Sequence, residues 1–224
     1  MDPIHAMNTV FIILNSFGFK EPRELLDVMR ETNTYISGSV ALLALHPNTF
    51  IPNDIDFYVS SDSGQRFVDY INILGFSEIP PLLSRYTNES VGKSLKFRHI
   101  SISHNVNIIF SSTSCALQPL VEFHSTLIMN FIAWYGIVCL YPAMTMKKMA
   151  FANVVDSDSW RPFEKYRTRG FEIKQDFLQI QREAHYCGSH PHCPRTVRYL
   201  HDGHALVHHF PQPLEGGKMG FFHE

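Results

Sequence analysis

Charge is scarce in this chain. Asp, Glu, Lys and Arg together make up 18% of its 224 residues and the formal net charge is −2, so the protein as a whole exerts no general attraction on nucleic acid or on an acidic membrane. Any polyanion must be held locally. Long apolar runs are missing as well: the longest, residues 9–19 and 131–141, are too short to span a bilayer, and Met1 is followed by an acid rather than by the basic start of a secretory signal. An intracellular, cytoplasmic protein with no membrane partner is expected. Cysteines number only four. Cys115 and Cys139 stand in apolar stretches where a thiol acts as a small hydrophobe, and Cys187 and Cys193 stand in polar, loop-like sequence, a usage that fits a reducing compartment. With 45% hydrophobic residues the chain has enough apolar material for a sizeable core, and one principal domain is the default.

The order of elements can be followed from the N-terminus. Asp2-Pro3 starts a helix in which Ile4, Met7, Val10, Phe11 and Leu14 recur at helical spacing until Gly18, and Pro22 opens a second helix through Leu25, Leu26, Val28 and Met29. Residues 35–37 predict a short strand, Gly38-Ser39 a turn, residues 40–45 a short helix and residues 46–53 a loop with two prolines and two asparagines. In residues 54–59, Ile55, Phe57 and Val59 alternate with Asp54, Asp56 and Tyr58, the period-2 pattern of a strand with unlike faces. A helix over 66–74, strands over 95–103 and 106–110 joined tightly at His104-Asn105, and a longer helix over about 119–135 are expected next. Beyond residue 150 the periodicity weakens. A further helix is expected within 170–185, and no regular structure is assigned to the last forty residues, which are rich in His, Pro and Gly. The chain thus divides into a principal domain at 1–150, a basic, partly helical extension at 151–185 and a His/Cys-rich tail at 186–224.

Two carboxylates placed at i and i+2 of a strand point the same way, so Asp54 and Asp56 face one pocket. Like charges so close repel unless a cation lies between them, and hard Mg²⁺, or Mn²⁺ in its place, takes carboxylate oxygens and shares them with substrate phosphates. The sequence "YISGSVALLALHPNTFIPNDIDFYV" carries a strand, a Gly-Ser turn, a helix, a loop and an Asp-x-Asp strand in that order. That order resembles the nucleotidyltransferase fold of the DNA polymerase beta superfamily, with Gly38, Ser39, Asp54 and Asp56 matching its signature. The resemblance implies an α+β fold with a mixed sheet flanked by helices, metal held by Asp54 and Asp56, and nucleotide phosphates held at Gly38 and Ser39. Gly38 allows close backbone approach, and the following helix directs free N–H groups at an anion. The alternative for the acid pair alone is a solvated strand face or a guard against edge aggregation.

One position departs from the family. Its active members carry a third carboxylate on a neighbouring strand, and in "VNIIF" that place falls to Asn107, which offers a neutral oxygen but no charge for a tightly hydrated cation. Asp62 and Glu122 are the other nearby acids. In "EFHSTLIMNFIAWYG", His124 and Asn130 either face a ligand or are hydrogen-bonded groups of the core. This stretch and the following "CLYPAMTM" also resemble uncharacterised fungal nucleotidyltransferase-like proteins, the likeness covering most of residues 30–150 and extending loosely to "KYRTRGF".

Residues 145–175 hold seven basic residues (Lys147, Lys148, Arg161, Lys165, Arg167, Arg169, Lys174) against four acids (Asp156, Asp158, Glu164, Glu172). Beside an acidic metal pocket such a segment suits a triphosphate or a nucleic acid, and Lys165 and Arg169, four apart, share a helix face if the segment is helical; otherwise it is a solvated face with paired acids. In the tail, "CGSHPHCP" presents Cys187, His190, His192 and Cys193, thiolate and imidazole donors suited to Zn²⁺, against the alternative of surface histidines.

These readings combine into two functions. One is a metal-dependent nucleotidyltransferase that moves a nucleoside monophosphate from an NTP to a hydroxyl acceptor, be it small molecule, RNA or protein. The other is a catalytically impaired relative, weakened at Asn107, that binds nucleotide or metal.

Overall fold

The first helix is set by its cap: Asp2 accepts a hydrogen bond from the His5 N–H at 3.0 Å and Pro3 fills the first turn of α1 (Pro3–Ser16). The computed structural model describes residues 1–80, 89–153, 160–175, 190, 193–200, 202–213 and 219–220. After α1 come α2 (Pro22–Thr32), β1 (Tyr35–Ser37), α3 (Ser39–Leu45), β2 (Asp54–Val59), α4 (Gly64–Ile73) and β3 (Ser77–Ile79). The hairpin β4 (Val91–Arg98) and β5 (Asn105–Ser111) follows. β4 lies earlier than the expected 95–103, so residues 99–104 form the connection and the tight turn at His104-Asn105 does not occur.

The helix expected over 119–135 is absent. Two short 3₁₀ turns, Gln118–Glu122 and Thr126–Ile128, lead into β6 (Asn130–Ala133), which turns through Trp134-Tyr135 into β7 (Gly136–Cys139). Every residue of β6 and β7 is buried, so the apolar run has no polar face from which a period could be read. α5 (Pro142–Thr145), β8 (Met149–Phe151), α6 (Trp160–Arg167), β9 (Glu172–Lys174) and β10 (Leu206–His209) complete the main elements. The helix expected within 170–185 is replaced at its start by β9, which runs parallel to β8; residues 176–185 lie outside the described set.

Eight strands make one mixed sheet in the order β10-β7-β6-β1-β2-β5-β4-β3. β2 and β5 are parallel, and every other neighbouring pair is antiparallel. β10, drawn from the tail where no regular structure was expected, extends the edge beyond β7. α1, α2 and α4 pack on one face against Ile36, Ile55, Phe57, Val59, Phe97, Val106 and Ile108, all fully buried. On the opposite face, a cluster around Tyr58, Ile109, Phe131 and Val138 covers the β6–β7 side. A third cluster ties α6 to α3 through Leu42, Ile128, Phe163, Tyr166 and Phe171. No described helix is long and apolar enough to cross a membrane.

Candidate metal and nucleotide site

Asp54 and Asp56 occupy the face of β2 opposite the helix-packed Ile55, Phe57 and Val59, and both are half-buried. Asp56 pairs in register with Ser37 on β1 and with Asn107 on β5. Gly38 follows Ser37, which lays the Gly-Ser turn against the carboxylates. Its backbone stands at φ +70°, and a Cβ there would lie 2.9 Å from Asp56 Oδ2, so both the conformation and the space demand glycine. α3 begins at the next residue. With seven residues it is short, so what it presents to an anion is the N–H groups of its first turn rather than an extended dipole.

The electrostatics favour a cation. Burial, reinforced by repulsion from Asp54, raises the Asp56 pKa to about 6; the hydrogen bond from Asn107 and the charge of Lys165 pull the other way without cancelling it. Asn107 Nδ2 donates to Asp56 Oδ1 at 2.7 Å. The residue at the third position is therefore joined to the acid pair, as a neutral donor. Asp54 and Asp56 together present acceptor-only oxygens on one face, a donor set that fits Mg²⁺ or Mn²⁺. Neither of the other nearby acids stands in for a third carboxylate: Glu122 accepts from Ser90 Oγ at 2.9 Å and the exposed Asp62 from Ser61 Oγ at 2.7 Å.

Both cations singled out in the basic segment act electrostatically on the acids, without an ion pair to either among the described residues. Lys165 is in the last turn of α6 and close enough to pull the Asp56 pKa down. Arg169 lies not on the helix but in the turn beyond it, its guanidinium 4.2 Å from the centre of the Phe50 ring and 5.4 Å from that of Tyr166. Burial lowers its pKa while attraction to Asp54 opposes the shift, and its Nη1 is buried without a hydrogen-bond partner. A guanidinium held by stacking with one donor unused suits an incoming phosphate oxygen. Other bases of the segment behave as a solvated face: Arg167 pairs with Glu164 at 4.0 Å and Lys174 with Glu172. Asp156 and Asp158 lie outside the described residues.

His124 packs its ring 5.4 Å from Phe163 and 5.8 Å from Tyr166. Burial, with the nearby Lys165, lowers its pKa to about 4, so it is neutral at physiological pH. Asn130 belongs to the core: it is fully buried and its Nδ2 donates to the Leu127 carbonyl at 2.7 Å. The expected zinc ligands are only partly in view, since Cys187 and His192 lie outside the described residues. The Cys193 N–H donates to the His190 carbonyl at 2.9 Å, and Cys193 is buried. Among the described residues no three His, Cys, Asp or Glu side chains gather as a metal cluster. Cys139 is buried as expected, whereas Cys115 is exposed, because its apolar neighbours lie in a loop beyond β5.

Sequence reasoning missed the aromatic seat of Arg169, made by Phe50 and Tyr166: Tyr166 stands three residues before it, but Phe50 comes from the distant loop before β2. It also missed Lys96 and Arg98. The alternation of Ser94, Lys96 and Arg98 with Leu95 and Phe97 was a usable signal, but only the register against β5 shows which face they occupy.

No protein-family model matches the sequence, and no curated protein matches it. Among solved structures the chain is similar to the Thermotoga maritima CCA-adding enzyme complexed with tRNA, at 13% identity and a TM-score of 0.48, covering 70% of this chain and 39% of that one. It is similar also to a CCA-adding enzyme in complex with CTP, at 13% identity and a TM-score of 0.47, covering 70% and 40%. A CCA-adding enzyme in complex with ATP gives 16% identity and a TM-score of 0.48, covering 75% and 41%. The chain spans about two fifths of the length of these enzymes. The assignment of the site therefore rests on the chain's own residues.

Proposed function

We propose that the chain is a metal-dependent nucleotidyltransferase that moves a nucleoside monophosphate from an NTP to a hydroxyl acceptor. The observation that carries this reading is the Asp54/Asp56 pair lodged against Gly38, with Asp56 raised to about 6 and Lys165 and Arg169 contributing positive charge beside the pair. Mg²⁺, when bound by Asp54 and Asp56, supplies positive charge to the phosphates. Backbone N–H groups at Gly38 and Ser39 approach the triphosphate, and Lys165 and Arg169 take up charge on its leaving side. The acceptor oxygen bonds to the α-phosphorus as the bond to the β-phosphate oxygen breaks, pyrophosphate departs with that electron pair, and the hydroxyl proton passes to solvent.

A second reading has one specific observation in its favour. Asn107 is neutral and spends its amide on Asp56, which suits a module that binds nucleotide without turning it over. Titrating each of the four NTPs with and without Mg²⁺, by calorimetry and by pyrophosphate release, tests both. Metal-dependent binding lost in Asp54→Ala supports the site, and release of pyrophosphate lost in Asp56→Ala supports the enzyme. Binding without release in any acceptor mixture, converted to turnover by Asn107→Asp, favours the impaired relative. Absence of NTP binding overturns both readings.

A further inference from the structure

The face of the sheet that carries the acids continues across β5 onto β4 in two matched rows. Asp56 is in register with Asn107, and Asn107 with Lys96; Asp54 is in register with Asn105, and Asn105 with Arg98. Each row runs carboxylate, amide, cation, with all three side chains on one face, since residues directly opposite across strands point the same way. The hydrogen bonds agree with the register. Asn107 donates to Asp56, and Arg98 donates to Asn105 Oδ1 from Nη2 at 3.2 Å and from Nε at 3.4 Å. Only Phe97 of β4 is buried, on the helix-packed face, while Lys96 and Arg98 are exposed. Among the described residues neither is ion-paired to an acid.

The acid pair thus has cations on two sides. Lys165 and Arg169 arrive with α6, whose apolar partners include Leu42 of α3 and Phe50 of the loop before β2, on the Gly-Ser side. Lys96 and Arg98 lie on the other side, beyond β5. In phosphoryl transfer the attacking and leaving oxygens are roughly in line, so groups that receive the departing pyrophosphate and groups that receive the acceptor fall on opposite sides of the metal-binding acids. Asn107 brings no negative charge to the acceptor side, and Lys96 next to it brings a positive one.

We infer that Lys96 and Arg98 are positioning residues for the acceptor, and that the acceptor is a hydroxyl compound bearing a phosphate close to the reacting hydroxyl. This rests on the nucleotidyltransferase reading and names its acceptor class. A neutral acceptor would make no use of the two cations exposed beyond β5. A phosphate there neutralises them, and its hydroxyl is left facing the metal-binding acids. That phosphate can belong to the end of a nucleic-acid strand or to a phosphorylated small molecule.

The test uses the full chain with Mg²⁺ and a saturating non-hydrolysable NTP analogue, so that the nucleotide site is filled. Three probes are titrated: a short single-stranded RNA with a free 3′ hydroxyl, a nucleoside 5′-monophosphate, and the corresponding unphosphorylated nucleoside. Either phosphate probe is expected to bind in preference to the nucleoside. Lys96→Met is expected to weaken that binding about tenfold, the loss of one charge-assisted contact, while binding of the NTP analogue stays unchanged. For the RNA, the dependence of log affinity on log salt should also become shallower by about one unit. Binding of RNA alone identifies a strand end as the source, and binding of the monophosphate alone a small molecule. The inference is overturned if neither phosphate probe binds, if the nucleoside binds as well as the monophosphate, or if Lys96→Met and Arg98→Met bind the probes as the wild type does. Failure of the wild type to bind the NTP analogue at all would instead strike the nucleotidyltransferase reading, and the two failures are distinguishable in one titration series.

Discussion

The two faces of β2 solve different problems with the same six residues. Toward the helices, Ile55, Phe57 and Val59 are fully buried, and Phe57 sets its ring 5.6 Å from Phe19 and 4.8 Å from Phe67. Away from them, Asp54 and Asp56 lie beside each other, a glycine turn and the amide of Asn107, with Lys165 contributing positive charge. One face lowers the free energy of the folded chain. The other holds Asp56, whose ionisation burial makes costly, which is the condition in which binding a cation yields most.

Substitutions should separate the two faces. Phe57→Ala empties a filled core position, and urea denaturation should show a loss of about 3–5 kcal/mol; a loss under about 1 kcal/mol would mean that the helix face is not the source of stability. Gly38→Ala is expected to cost about 1–3 kcal/mol for the strained backbone and, by crowding Asp56 Oδ2, to abolish Mg²⁺-dependent NTP binding. Retention of both stability and binding would show that the turn has another conformation. Asp56→Asn should act in the opposite sense. The folded pKa of about 6 lies above the unfolded value of 3.8, so the folded chain holds the proton more tightly and metal-free stability falls as pH rises from about 4 to about 6. The full penalty, on the order of 3 kcal/mol, is present at pH 7. Asp56→Asn is expected to remove that slope and to be at least as stable as the wild type at pH 7 in thermal melts with chelator. A variant less stable at pH 7 than the wild type would place Asp56 among the stabilising groups and erase the contrast between the faces.

The same contrast explains what could be read in advance. The helix face announces itself by period, so α1, α2, β2 and α4 were legible, and Asp54 and Asp56 stood out because they interrupt an apolar alternation. β6 and β7 were illegible because they are buried on both sides, and of the two readings open for Asn130 the hydrogen-bonded core group is the one found, its amide bonded to Leu127. For Lys165 and Arg169 the local excess of basic charge left two readings open, a phosphate-binding segment or a solvated face, and the shared helix face does not occur because Arg169 lies in the turn beyond α6. Lys96 and Arg98 needed the register of β4 against β5, a property of two strands that neither segment contains by itself.

The edge strand β10 has a consequence for how the molecule is made. Its pairing, Leu206 with Cys139 through His209 with Gly136, joins residues about seventy positions apart, and Phe210 anchors it by donating its N–H to the Tyr135 carbonyl at 2.8 Å. During synthesis β7 emerges long before its neighbour exists, leaving an apolar strand with a bare backbone edge available to any other chain nearby. Folding yield should therefore depend on how quickly the C-terminal residues follow, and a ribosome stalled between residues 140 and 205 would release a nascent chain with its sheet unfinished and adhesive.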